Sequence, residues 1–313
     1  MPISLFYHYT DLEDVELFAR DLRSFGMKHN LAGRIRISSE GINGTFGGTE
    51  SAVQAFHAFI GSRLNSPDVD FKVSEGSERN FPEGWKVRVC KELVTMGIEP
   101  EVASWKQAAP HVAPEQFREE ILNRKEDVKE NLIVLDVRNQ YESAIGRFKG
   151  AILPPIRQFS DFPQYVRTNE ELFRGRRVLM YCTGGIRCER ASAFLASKGI
   201  AKSIVQLRGG IDRFLNRFPD GGNVFEGKNL VFDTRMVQPI SNPTIVGRCI
   251  ICSTKWDDYS NNFRCAYCRV RVLICNELSC TGVFIENRNG LCLSCRLQER
   301  HSDVRNKELT DGP

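Results

Sequence analysis

Eight of the chain's eleven cysteines fall between Cys249 and Cys295, as Cys249-x2-Cys252, Cys265-x2-Cys268, Cys275-x4-Cys280 and Cys292-x2-Cys295. Regular helices and sheets do not need such spacing. A tight turn that aims two sulfurs at one ion does, and two turns complete a closed tetrahedral zinc site. Eight ligands imply two structural zinc ions, which the pairs can hold sequentially or interleaved as a cross-brace. Disulfides are disfavoured: residues 1–10 carry no basic region followed by an apolar run, and thiols of an intracellular chain stay reduced. A small zinc-binding module is predicted over residues 245–300, with few apolar residues and metal as the driver of its folding. Arg264, Arg269 and Arg271, with Phe263 and Tyr267, offer a surface for RNA or for a protein.

The other residues exceed what one core normally holds, so two further domains are predicted. Residues 1–100 read as strand, helix, strand, helix, strand, strand, a ferredoxin-like (acylphosphatase-like) α+β sandwich. Leu12, Val15, Phe18, Ala19 and Leu22 have helical spacing, and Thr49 caps a second helix with Val53, Phe56 and Phe59 on its buried side. Asn43-Gly44 is read as a tight turn. Residues 100–114 look like a linker. Over 112–220, continuous apolar strands at 132–137, 178–182 and 203–207 alternate with helices, as in a doubly wound parallel sheet. A second connection follows at 221–245, in which 230–236 is expected to pair with a sheet edge. No internal repeat is evident. No stretch approaches about eighteen uninterrupted apolar residues, so no membrane span is predicted and a cytoplasmic location is expected.

Ligands of such sheets gather at the carboxyl ends of the strands, where Cys182 falls. Gly184 and Gly185 let the following backbone wrap tightly and aim N–H groups inward, next to a helix N-terminus. A cysteine in that nest has a lowered pKa and is nucleophilic. Arg187 adds positive charge and is expected to orient an anionic group on a substrate. Thr183 and Ile186 complete the loop. Cys188 is either a resolving thiol for Cys182 or a packed residue of the first helical turn. Asp136 and Arg138 either line the pocket from a neighbouring strand end or brace the loop.

Asp136-Val137-Arg138, Tyr141-Glu142, Gly150-Ala151, Tyr181 to Arg187 and Leu207-Arg208-Gly209-Gly210-Ile211 resemble a rhodanese domain, in which the loop cysteine carries a persulfide. A Cys-x5-Arg phosphatase would need arginine where Cys188 stands, so phosphatase chemistry is disfavoured. The fuller set, Gly33-Arg34-Ile35-Arg36-Ile37, Glu40 to Thr45, the loop through Cys188-Glu189, Phe225-Glu226-Gly227 and Val231 to Arg235, resembles the oxygen-dependent tRNA uridine hydroxylase family. The regular Cys pairs of the tail are closer to eukaryotic thiosulfate sulfurtransferase/rhodanese-like domain proteins. The resemblance implies hydroxylation of wobble uridine in tRNA to 5-hydroxyuridine, with molecular oxygen as co-substrate. The alternatives are sulfur transfer from a sulfane donor to a small-thiol or protein acceptor, and a scaffold role, which the intact nucleophile loop disfavours. The five histidines (His8, His29, His57, His111, His301) show no facial-triad spacing for iron. Lys and Arg number 11 against 15 Asp and Glu over 1–105, 20 against 14 over 106–220 and 12 against 10 over 221–313, a basic excess around Cys182 that suits a polyanionic partner.

Overall fold

A computed structural model describes residues 1–66, 69–77, 80–124, 131–231, 236–238, 240–241, 244–286, 290–292 and 295; residues 232–235 and His301 lie outside them. The N-terminal part runs β1 (Pro2–Tyr9), α1 (Val15–Lys28), β2 (Ala32–Ser38), β3 (Gly41–Gly47), α2 (Glu50–Arg63), β4 (Lys72–Glu75) and β5 (Trp85–Val89). Asp14 caps α1 by accepting from the Leu17 amide at 2.9 Å, and Thr49 caps α2 by accepting from Ala52 at 3.2 Å. The sheet order β4-β1-β3-β2-β5 is a ferredoxin-like sandwich, extended at one edge by β5 running parallel to β2. Ile35, Ile37, Ile42 and Phe46 bury one face against Phe18, Leu22, Phe56 and Ile60 of the helices. The opposite face carries Arg34, Arg36, Asn43 and Thr45.

The expected turn at Asn43-Gly44 is not there. Both residues lie inside β3, paired with Arg36 and Ile35 of β2, and the chain reverses at Ser39-Glu40. Gly44 answers a packing demand, because a Cβ there would sit 2.3 Å from Ile35 Cδ1.

The central part is a parallel sheet, ordered β6 (His111–Val112), β10 (Ser203–Leu207), β9 (Arg177–Tyr181), β7 (Leu132–Asp136). Between these strands come α3 (Pro114–Leu122), α4 (Gln140–Ser143), β8 (Gly146–Phe148), α5 (Phe162–Thr168), α6 (Glu170–Phe173) and α7 (Ile186–Ser197), and α8 (Gly210–Arg217) follows the last. Both faces of β9 are covered. Val178 and Met180 pack with Phe162 and Phe194, Leu179 and Tyr181 with Phe117, Phe148 and Phe214, which is why this strand reads as an unbroken apolar run. Beyond α8, β11 (Phe225–Gly227) pairs antiparallel with β8. Most of the segment expected to join a sheet edge at 230–236 lies outside the described residues; at its start β12 (Asn229–Leu230) pairs with β13 (Val237–Gln238).

The cysteine-rich part contains a repeat that sequence similarity did not reveal. The Cys249 amide donates to Thr254 O and the Ser253 amide to Cys249 O; Cys265 donates to Val270 O and Arg269 to Cys265 O in the same way. Ser253 and Arg269 both take positive φ, at 64° and 62°. The first two Cys-x2-Cys pairs thus form knuckles of one backbone design, followed by α9 (Leu278–Glu286). Tyr259 ties this part to the parallel-sheet domain by donating to the Tyr141 carbonyl at 2.8 Å.

The region read as a linker is packed. Ala103 joins the core beside Phe162 and Phe194, and Val112 the core on the other face of the sheet. The unexposed Arg190 of α7 donates to Glu92 Oε2 at 2.8 Å and to the Ala103 carbonyl at 3.1 Å, and lies 3.6 Å from Glu40. Arg190→Met is predicted to lower unfolding free energy by about 3–5 kcal/mol, because two nearly buried carboxylates lose their charge partner. Urea denaturation measures this; a loss below about 1 kcal/mol would mean that these residues tether the domains without bracing them.

Candidate active site between the N-terminal sheet and the Cys182 loop

Cys182 directly follows β9 and is wholly buried. The chain turns through Thr183 and Gly184 to Gly185, whose φ of 103° starts α7 at the next residue. A Cβ on Gly185 would also sit 2.8 Å from the Tyr7 hydroxyl. The Gly185 amide donates to Cys182 Sγ at 3.1 Å. Burial pushes the thiol up, but it is outweighed by a hydrogen bond from the Cys188 thiol, the Arg187 charge and the backbone N–H groups of Arg187 and Gly185. Together they hold Cys182 down to about 6. Cys188, pushed well up by burial and by its bond to Cys182, remains the protonated donor.

A second glycine pair supports the loop from below. Gly210 has φ 64°, and a Cβ there would meet the Cys182 and Thr183 carbonyl oxygens at 2.5 and 2.6 Å. The Ile211 and Asp212 amides donate to those two carbonyls at 3.0 and 2.9 Å. This is the physical content of the Leu207 to Ile211 segment.

Arg187 lines the pocket, but its terminal nitrogens are engaged with Glu142. Its two terminal nitrogens each donate to a Glu142 oxygen at 2.7 Å, and one also reaches Thr183 Oγ1 at 3.2 Å. Burial raises the Glu142 carboxyl, yet the Arg187 charge and hydrogen bonds hold it below its usual range. Arg187 therefore acts on Cys182 through its field, from a position that Glu142 fixes. Glu142 was not singled out from the sequence, although the Tyr141-Glu142 pair was its signal. Asp136 and Arg138 are also inward: they pair at 2.7 Å without exposure, and Arg138 donates to the Gly146 carbonyl at 2.6 Å. They brace the end of β7 and are absent from the pocket lining, which does include Thr183, Gly184, Ile186 and Arg187.

The roof of the pocket comes from the N-terminal sheet. Leu5, Tyr7, Arg34, Asn43, Thr45 and Phe81 close a cavity of about 220 Å³ over Cys182. That is below the usual ~300–1,000 Å³ of drug-sized sites and suits one flat base. Tyr7 donates to Glu189 Oε1 at 2.9 Å; the same oxygen meets His111 Nε2 at 2.9 Å, and Glu189 Oε2 accepts from Gln206 at 2.9 Å. None of these residues stands out in the sequence as part of the site: Asn43 reads as a turn, and His111 is named only among the histidines that lack iron-site spacing.

The cysteine-rich part resolves the open pairing. Cys249, Cys252, Cys275 and Cys280 bring their sulfurs within 4.8 Å of one another, as do Cys265, Cys268, Cys292 and Cys295. The arrangement is interleaved. The Cys252–Cys275 and Cys268–Cys292 separations of 3.6 and 3.7 Å lie close to the edge, about 3.8 Å, of a tetrahedron with 2.3 Å metal–sulfur bonds. Arg157 of the central domain donates to Cys295 Sγ at 3.3 Å, a partner for the negative charge of a tetrathiolate site. Both sets fit a soft, four-coordinate ion.

The fold and site define a rhodanese-type thiol domain roofed by an acylphosphatase-like domain. Family models agree: a UPF0176 acylphosphatase-like domain matches residues 1–93, a rhodanese-like domain 115–217 and a rhodanase C-terminal region 226–299. A tRNA uridine(34) hydroxylase of Streptococcus pneumoniae is 35% identical over 319 residues, covering 99% of this chain and 92% of that protein. The chain belongs to the tRNA uridine(34) hydroxylase family. Rhodanese-like domain-containing protein 6 of Arabidopsis thaliana is 38% identical over 90% of the chain, which spans 51% of that longer relative.

Alkylation of Cys182 by iodoacetamide, followed by peptide mass spectrometry, is predicted to accelerate with pH through about 6 and then level off, since the depressed thiol is ionised above that point. Cys188→Ala shifts the inflection upward. A wild-type inflection in the ordinary thiol range, about 8.5, contradicts the assigned electrostatics.

Proposed function

We propose that this chain is a tRNA-modifying oxidoreductase that converts wobble uridine to 5-hydroxyuridine, with Cys182 as the nucleophile. One observation carries the reading: a thiolate held near pKa 6 lies beneath a base-sized, largely apolar pocket into whose roof Arg34, Asn43 and Thr45 bring polar groups. The streptococcal relative's match over nearly the full chain supports it.

In this reading an unstacked uridine enters under the N-terminal sheet. The Cys182 thiolate adds to C6, and the π pair moves toward C5 and O4 as an enolate. Asn43 and Arg34 have N–H donors in the roof for the charge that collects there. C5 takes one oxygen atom derived from O2, and loss of the C5 proton with expulsion of Cys182 restores the ring. The other oxygen atom leaves as water, consuming two electrons and two protons. Closure of a Cys182–Cys188 disulfide releases that number, and an external thiol reopens it. Glu142 and the paired Asp136 and Arg138 hold the loop rather than touch the base, while Arg187 lines the pocket and is fixed by Glu142.

Two zinc ions are proposed as structural closures in the interleaved cysteine sets. Elemental analysis of the Cys249→Ser/Cys275→Ser double variant is predicted to find one zinc per chain, against two in the wild type. Sequential pairing would instead cost both ions.

Nucleoside mass spectrometry of tRNA from cells lacking endogenous uridine 5-hydroxylation tests the activity. The chain is expected to restore 5-hydroxyuridine or its derivatives, and Cys182→Ala is not. If the zinc-loaded wild-type chain restores nothing, the reading fails. The same nest would stabilise a Cys182 persulfide, and sulfur transfer is then the reaction to assay.

A further inference from the structure

Beside the Cys182 pocket lies a second cleft of about 500 Å³, and Arg34 and Phe81 line both. Its walls come from all three parts of the molecule: Arg34 from β2, Arg157 from the central domain, and Arg264, Arg269 and Arg271 from the second knuckle. Among the described residues, no carboxylate lines it. Among the described residues, the one ion pair that reaches these arginines is the exposed Arg34–Glu83 contact at 3.4 Å.

The arrangement works against itself without a ligand. Arg264 and Arg271 face each other across an isolated antiparallel bridge, where like charges destabilise. Burial and then the Arg264 charge hold the Arg271 guanidinium below its ordinary value. A fold that gathers five guanidinium groups, with no acid lining the cleft among the described residues, is built to receive an anion. Forked N–H donors suit phosphate in particular.

We propose that this cleft binds the phosphodiester backbone flanking the target uridine, with the second knuckle holding phosphates while the base lies over Cys182. This rests on the RNA reading of the Cys182 pocket. The shared wall favours RNA over an acidic protein, because a nucleoside in the first pocket necessarily carries its own phosphates past Arg34. Arg157 adds a structural link: it lines the cleft while donating to Cys295, so the second metal site and the phosphate track share one side chain.

Fluorescence anisotropy with a labelled anticodon stem–loop RNA bearing wobble uridine tests this on the full, zinc-loaded chain. The variant Arg264→Gln/Arg269→Asn/Arg271→Gln is expected to bind at least tenfold more weakly. Its log Kd should depend less steeply on log salt, by about 0.7 for each single-strand phosphate that the variant no longer neutralises. Zinc content and the pH inflection of Cys182 alkylation should stay as in the wild type, and Arg174→Gln, on a distant exposed arginine, should bind normally. Unchanged affinity and slope in the triple variant would overturn the proposal while leaving the RNA reading intact. No binding by the wild-type chain would overturn both. Competition by polyglutamate as effective as that by unlabelled RNA would assign the cleft to an acidic protein instead.

Discussion

Taking an ionised sulfur out of water costs several kcal/mol unless donors and charge replace its hydration, and Cys182 has no exposure. Much of the central domain follows from meeting that demand. The Gly185 amide supplies a direct donor, and the first turn of α7 adds backbone N–H groups and the positive end of the helix. Arg187 supplies the full charge, but a buried guanidinium needs its own partner. Glu142 provides it, and the Asn139 amide donates to Glu142 in turn at 3.1 Å. Under the loop, only glycine at 210 lets α8 come close enough for its first amides to bond the loop carbonyls. Each layer is determined by the one it supports.

The N-terminal domain completes the site by excluding solvent from above. One face of its sheet is an ordinary apolar core, while the other is polar and aromatic where it covers the loop. Tyr7 joins the two domains at the site, since its hydroxyl bonds Glu189, the residue after Cys188. Burial of the sulfur makes every donor around it act more strongly than it would in water. Arg190 and the packed residues between the domains hold this geometry, so the cavity depends on a stretch that does not look structural. The cysteine-rich part, anchored through Tyr259 and Arg157, adds the arginine wall next to the pocket.

Features that depend on local chemistry were readable in the chain. The buried strands appear as continuous apolar runs, the nucleophile loop as Cys182 with Gly184 and Gly185, and the cysteine pairs as chelating turns. Features set by which faces meet were not. Asn43-Gly44 looks like a hairpin turn because the glycine's real reason, the approach of Ile35, lies on another strand. The anchoring of Arg187 is hidden too, because its partner Glu142 lies 45 residues away in the chain. The roof residues alternate with core residues on β2 and β3, so nothing in their order says what they face. The interleaved cysteine sets required knowing that the two knuckles lie side by side.

The central claim is that Cys182 attacks a uracil ring held between the two domains. Intact-mass analysis of the chain incubated with 5-fluorouridine-substituted tRNA under single-turnover conditions tests it directly. The predicted result is a covalent protein–RNA adduct that maps to Cys182 and disappears in Cys182→Ser. Turnover of unsubstituted tRNA with no adduct on the fluorinated one would contradict covalent attack and reduce Cys182 to a redox or sulfur-carrying role.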